Sequence, residues 1–375
     1  MITALYNLQL ITCGVIHSGK AILIEGKSIK AVIDEADIPA EAEKINLNGS
    51  YLAPGLIDLQ IYGAGGKLFS GSPSEDALAQ METSLLTEGT TGFFATVATN
   101  SDAIIEAAID AARSYQLKAK GNFLGLHIEG PYLNTKRKGA HPEKFIKKAT
   151  LTEVKAWVER GKGIIKMITI APELQDAEVI DYLHKQNIII SAGHTDASYE
   201  QALNFFDERI PAATHLYNAM PQMHHRAPGI IPAIFNKKPF TSIVADGIHV
   251  SYPMIALAKH ELGNKLFLIT DAVTETTEGL YPHKFVQDHY ESHGILSGSA
   301  LTMLKAVKNC VQHVGIELAE AVNMASLYPA ELAGFNKKGQ IEQGFDADLL
   351  IFNDKFTVEG VVLQGEIVKP KRKIN

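Results

Sequence analysis

The sequence predicts an α/β fold, a (β/α)8 TIM-type barrel carrying a small β-sandwich domain formed by both chain ends. Three observations predict it: eight short apolar runs recur through the middle of the chain, segments with helical start and stop marks separate them, and four of the runs end on an acidic residue or a histidine. Runs of this length, rich in Ile, Leu, Val and Ala and lacking period-two alternation, suit a parallel sheet buried on both faces. Eight of them alternating with helices over roughly 230 residues match the usual size of such a barrel.

Taken in order, the first run is YLAPGLIDLQIYG from Tyr51. Ser72-Pro73-Ser74-Glu75 then opens an apolar-periodic helix that stops at Gly89. TGFFATVATN from Thr91 is the second run, and FLGLHIEGP, ending at Pro131 and containing Glu129, is the third. Thr150 with Glu153 is expected to form a capping box before Trp157. IIKMITIAPE from Ile164 follows as the fourth run, IIISAGHT with His194 as the fifth and AATHLYNAM with His215 as the sixth. FTSIVADGIHV from Phe240 and LFLITDAV with Asp271 complete the set. Strand C-termini of such a barrel share one rim, so Glu129, His194, His215 and Asp271 are expected to converge there.

The flanking segments read differently. The first 34 residues and the run from Gln340 to Lys369 hold short alternating stretches that suggest hairpins. Residues 1–50 with 338–375 are therefore expected to form the small β domain, and 51–337 the barrel inserted between them. Asn7, Gln9, His17 and Lys20 interrupt the N-terminal segment, which lacks the charged start and continuous apolar core of a signal peptide. No apolar stretch approaches the roughly 20 residues of a membrane span. The closing KPKRKIN reads as a solvated basic tail.

Length and composition agree: 375 residues, a soft prior of two domains, and 46% hydrophobic residues, enough for a large core. A formal charge of −7 argues against nucleic acid or an anionic membrane as the main partner, since those require a basic surface. Only Cys13 and Cys310 occur, far apart and in no Cys/His cluster, so neither a disulfide scaffold nor a thiolate zinc site is indicated, and a cytoplasmic protein is expected.

A hydrolytic metal needs about three protein ligands and an open position for water, with imidazole and carboxylate suited to zinc or a similar divalent ion. Glu129, His194 and His215 supply that set, and Asp271 is the candidate to move protons between water and a departing amine. Each has a plainer reading: a carboxylate at a strand end as a cap or ion-pair partner, a histidine as a hydrogen-bonded core residue, Asp271 as an N-cap. The joint placement of all four favours the metal centre. His127, two positions before Glu129, is expected to point into the barrel as a supporting group. Histidines 17, 184, 260, 283, 289, 293 and 313 are assigned to surface or helix positions by default. Gly63, Gly65 and Gly66 suit a tight turn better than a phosphate loop, as no GK[ST] follows.

The phrases APGLIDLQIYGAGG, HIEGPYLN, KGAH, SAGHTDASYEQA, THLYNAMP, VADGIHV and LITDAV resemble the N-acetylglucosamine-6-phosphate deacetylases of the amidohydrolase superfamily, from about Tyr51 to Met303. The closing GFDADLLIFN resembles the end of amidohydrolases generally. The resemblance implies hydrolysis of N-acetylglucosamine 6-phosphate to glucosamine 6-phosphate and acetate, with Asp271 as general base and acid. It implies phosphate contacts at Asn218, the Ala219 backbone, Arg226 and His249, and sugar contacts at the Ala140 backbone and the loop Leu296, Ser297 and Gly298. His141 is implied at the acetyl carbonyl or a sugar hydroxyl. It also implies a homodimer in which Arg226 is donated across the interface, and a phosphorylated amino sugar as the small-molecule partner.

Binuclear amidohydrolases carry an HxH pair in the first strand, where residues two apart point the same way. Here those positions hold Gln60 and Tyr62, and no lysine closes the fourth strand, since Lys166 lies at its start and Glu173 at its exit. One divalent ion is expected, zinc by preference, with Fe, Co or Mn also compatible. The alternatives are another amidohydrolase, acting on a different N-acetyl hexosamine phosphate or a cyclic amide, and a non-catalytic barrel scaffold. The missing HxH pair speaks against the cyclic-amide branch, and the intact set of four speaks against the scaffold.

Overall fold

The computed structural model describes residues 2–276, 280, 282–292 and 294–368; the basic tail KPKRKIN and His293 lie outside them. Eight parallel strands follow one another around a barrel: β1 (Leu56–Ile61), β2 (Thr90–Ala98), β3 (Phe123–Glu129), β4 (Ile165–Ile170), β5 (Ile189–Ala192), β6 (Ala212–Ala213), β7 (Phe240–Val244) and β8 (Leu266–Ile269). All eight expected runs supply a strand. Every residue of β1 and β2 is buried, because helices cover the outer face and side chains fill the interior.

The seam between β8 and β1 is closed just beyond the strand ends, where the Asp271 amide donates to the Gln60 carbonyl at 3.0 Å and the Tyr62 amide to that of Ala272 at 2.9 Å. Asp58 in β1 reinforces it from inside. Its fully buried carboxylate accepts the Thr270 hydroxyl at 2.5 Å and the Thr270 amide at 3.2 Å.

The helix expected after the first strand spans Glu75–Thr87, with the Ser74 hydroxyl accepting from the Ala77 amide. Its buried Leu78, Met81, Leu85 and Leu86 join the barrel core. At Leu151–Gly161 the Thr150 hydroxyl accepts from the Glu153 amide at 3.3 Å, but the Glu153 carboxylate pairs with Lys147, so only half of the expected capping box forms.

Both chain ends meet in two packed sheets. One holds Ser28–Asp34, Lys20–Glu25, Ile2–Tyr6 and Glu43–Asn46 in that spatial order; the other holds Glu366–Val368, Val358–Leu363, Leu349–Phe352, Tyr51–Pro54, Gln9–Thr12 and Val15–Ser18. Leu5, Ile22 and Ile24 from the first pack with Leu10, Leu52, Leu349 and Val362 from the second, which makes the pair a sandwich. The hairpins suggested by alternation are present.

Two expectations are corrected. The run from Tyr51 is not one strand: Tyr51–Pro54 pairs with Gln9–Thr12 and Leu349–Phe352 in the sandwich, and only Leu56–Ile61 enters the barrel. Gly55 marks the break, where a Cβ would fall 1.9 Å from the Thr91 hydroxyl oxygen, so only a glycine admits that approach. Leu296, Ser297 and Gly298 do not form a loop but lie in the strand Ile295–Ser299, the third of a small antiparallel sheet with Lys284–Val286 and His289–Ser292. It is pinned by the Ser299 amide, which donates to the Asp271 carbonyl at 3.0 Å.

Gly65 and Gly66, at φ +61° and +81°, turn a two-residue hairpin between Gly63–Ala64 and Lys67–Leu68, in keeping with the tight-turn reading. Among the described residues no helix is long and apolar enough to cross a membrane.

Candidate metal centre

Glu129 is the last residue of β3, and His194, His215 and Asp271 each stand two residues past the ends of β5, β6 and β8. These three take positive φ, at +48°, +33° and +54°. Such values are uncommon outside glycine and concentrate at functional sites, where surrounding contacts hold the strain. The turn bends each side chain from the strand direction toward the barrel axis.

The supports are specific. His194 donates from Nδ1 to the Arg137 carbonyl at 2.8 Å, which leaves Nε2 facing inward. Its loop is braced by Glu173, which accepts from the Thr195 hydroxyl at 2.6 Å and the Asp196 amide at 2.9 Å. The His215 amide donates to the Ser242 hydroxyl at 2.8 Å, so β7 holds the turn after β6. Gly193 has no room for a side chain, since a Cβ would lie 2.6 Å from Thr169 Cγ2.

His215 Nε2 lies 3.1 Å from Glu129 Oε1 and 3.1 Å from His194 Nε2, and His194 Nε2 lies 3.4 Å from the same oxygen. A tetrahedral ion with bonds of about 2.05 Å holds its ligand atoms about 3.3 Å apart. The three donors already form that triangle, and a cation among them relieves the mutual repulsion of lone pairs and carboxylate charge; the residues fit a divalent ion. His141 adds a fourth donor, its Nε2 3.1 Å from Glu129 Oε2, so Glu129, His141 and His194 also converge within 4.8 Å.

The electrostatics differ from donor to donor. Burial opposes the Glu129 charge, but His141 and then His194 outweigh it and hold the carboxyl well below its usual range. Burial, with the neighbouring His141, lowers His194 to about 4, leaving it neutral and able to ligate. For His215 burial acts downward, yet the Glu129 hydrogen bond leaves its pKa raised. Asp271 is pushed up, chiefly by burial, opposed by His215 and assisted by the Glu129 charge.

His127 points inward as expected and is fully buried. Its Nδ1 donates to the Leu59 carbonyl at 3.0 Å and its Nε2 accepts the Thr169 hydroxyl at 2.7 Å, while burial lowers it to about 4. Thr169 continues to Thr214 and Ser191, forming a polar layer beneath the site.

Glu129, His141, His194, His215 and Asp271 line a cavity of about 210 Å³ together with Ala140, Asn218, Ala219, His249, Leu296, Ser297 and Gly298. Every candidate residue except Arg226 is thus gathered in one place. Arg226 is exposed and is not among the lining residues. His249 Nδ1 lies 2.5 Å from the Asp246 carboxylate, which is held low against burial by that contact. Ala219 has φ +51°.

Tyr62, Ser70, Ala98, Gly139, Val273 and His283 also line the cavity. His283 corrects the default surface assignment: it is buried, its Nδ1 is 2.9 Å from the Ser297 hydroxyl, and burial lowers it to about 4. It sits at no barrel strand end, so no sequence signal marked it. Asp246 was findable, as an acid three residues before His249. Asp271 caps no helix; its amide belongs to the barrel seam.

A parallel barrel whose C-terminal rim presents carboxylate and imidazole donors to one cavity, with an acid alongside, belongs to the metal-dependent hydrolases. Within that class the chain is a member of the amidohydrolase family, whose model matches residues 51–368. An N-acetylglucosamine-6-phosphate deacetylase of Haemophilus influenzae is 35% identical over 92% of this chain and 94% of its own. An N-acetylgalactosamine-6-phosphate deacetylase of Shewanella sp. is 32% identical over 89% of this chain and 87% of its own. The crystal structure of N-acetylglucosamine-6-phosphate deacetylase from Pasteurella multocida superposes with a TM-score of 0.95 at 35% identity, covering 98% of this chain and 100% of that one.

Proposed function

We propose that this enzyme hydrolyses the N-acetyl group of N-acetylglucosamine 6-phosphate to glucosamine 6-phosphate and acetate, with one divalent ion, zinc by preference, held by Glu129, His194 and His215. The observation that carries the reading is the donor triangle of 3.1, 3.1 and 3.4 Å beside Asp271 in a single cavity. The Haemophilus and Pasteurella relatives bear the name of that activity. A bound ion supplies Lewis acidity, making a water more acidic and an amide carbonyl more electrophilic.

Asp271 does the proton work. It takes a proton from the attacking water as the C–O bond forms, then delivers it to the amide nitrogen as the C–N bond breaks, so the amine leaves neutral. Its raised pKa brings its proton affinity closer to that task. His141, beside Glu129, is placed to donate to the acetyl oxygen. Asn218, the Ala219 backbone and His249 take the phosphate end of the cavity, and Ala140, Leu296, Ser297 and Gly298 the sugar.

In this reading Arg226 completes the phosphate site of the neighbouring subunit in a homodimer. Its exposure on one chain, away from that chain's cavity, supports that use, and a planar guanidinium fork suits a phosphate ester. The free thiols Cys13 and Cys310 fit a cytoplasmic enzyme.

The test is amine release by purified protein before chelation, after it, and with zinc restored. N-acetylglucosamine 6-phosphate, its galacto epimer and the unphosphorylated sugar are run in parallel. Metal-dependent turnover that prefers the gluco phosphate is expected. Preference for the epimer would move the assignment to the activity named for the Shewanella relative, and no turnover at full metal loading would refute deacetylation of these sugars.

A further inference from the structure

The two first-strand positions where an HxH pair would bring a second ion are neither empty nor passive. Gln60 Nε2 lies 3.0 Å from Glu129 Oε1 and 2.9 Å from Asp271 Oδ1. The Tyr62 hydroxyl donates to Glu129 Oε2, and the Gln60 amide nitrogen is also 2.9 Å from the Tyr62 oxygen. Both side chains are buried, and Tyr62 lines the cavity. Alternation along β1 explains the pairing, because residues 58, 60 and 62 project to one side of the strand.

Two carboxylates in one buried site repel each other, and in a two-ion centre the second cation would offset that charge. Here N–H and O–H donors face them instead. The amide of Gln60 has two hydrogens for three acceptors, and charged acceptors form the stronger bonds, so the hydrogens go to Glu129 and Asp271. The Tyr62 hydroxyl and His141 Nε2 both engage Glu129 Oε2, so Oε1, which also accepts from Gln60, is the oxygen turned to His194 and His215.

We propose that Gln60 and Tyr62 are positioning residues that act in place of a second cation: Tyr62 selects the oxygen of Glu129 that meets the single ion, and Gln60 ties Asp271 to Glu129. This rests on the metal reading above. Neither residue ligates the ion; both act through the carboxylates they hold. Outer partners of metal ligands typically contribute 10–100-fold to metal affinity.

The test measures zinc affinity by chelator competition for the wild type, Tyr62→Phe and Gln60→Met, with the melting temperature of each chelated protein as a fold control. Each variant removes a donor and keeps the bulk. The expected result is one ion per chain throughout, held about 10–100-fold more weakly in both variants, with chelated proteins that melt like the wild type. Unchanged affinity in both variants, with one ion in the wild type, would overturn this inference and leave the metal reading standing. A change only in the melting of the chelated proteins would reduce the pair to a structural role and also overturn it. A wild type that takes up no ion would overturn the metal reading and this inference with it.

Discussion

At the scale of the residue, the site is a problem in aiming short side chains. Glu129 reaches the centre from a strand, but His194, His215 and Asp271 do so only through left-handed backbone just past their strands. Asp271 is the residue whose chemistry is most separable from binding. Asp271→Asn keeps the shape and removes the proposed proton shuttle, so kcat is expected to fall by about 100-fold or more while KM and metal content change little. Near-normal kcat would remove Asp271 from the mechanism. The four candidate residues gathered at the cavity were readable from their place at the end of apolar runs, because the barrel puts such positions on one rim. His283 was not, since it reaches the cavity from outside the barrel strands, just before the small antiparallel sheet.

At the scale of the element, the seam between β1 and β8 couples the barrel to the site. Asp58 is raised to about 7, mainly by burial, against the hydrogen bonds from Thr270 and Gln60 that favour its charge. Its folded pKa exceeds the unfolded one. Its contribution to stability is therefore full below about pH 4 and is lost as pH rises toward about 7, where the folded form must ionise a buried group. Asp58→Asn has no such titration. Denaturant unfolding is expected to show the wild type losing stability relative to Asp58→Asn between pH 4 and 7, and parallel curves across that window would refute the assignment. The eight strands were legible because burial on both faces leaves continuous apolar runs. The division at Gly55 was not: Tyr51–Pro54 and Leu56–Ile61 run on as one largely apolar stretch, and what separates them is the pairing each finds in space.

At the scale of the whole molecule, the proposed donation of Arg226 to a neighbouring subunit's cavity makes a prediction that no single-chain site shares. Arg226→Ala and Asp271→Asn protomers, each poor at substrate levels below KM, are mixed so that subunits exchange. Each mixed dimer then contains one site with an intact Asp271 facing an intact partner arginine, and activity is expected to return to about a quarter of wild type. No recovery despite verified exchange would place Arg226 outside the shared site. By itself the sequence determined the barrel, the sandwich at its ends and the four residues at its rim, because hydrophobic period and strand-end position are local properties that survive in one dimension. Only the tertiary structure decided which oxygen of Glu129 faces the histidines, that Gln60 and Tyr62 hold the carboxylates, and that Ile295–Ser299 closes over them as a strand. Those depend on distances between residues far apart in the chain, and such distances are set by closure of the barrel and packing of its loops.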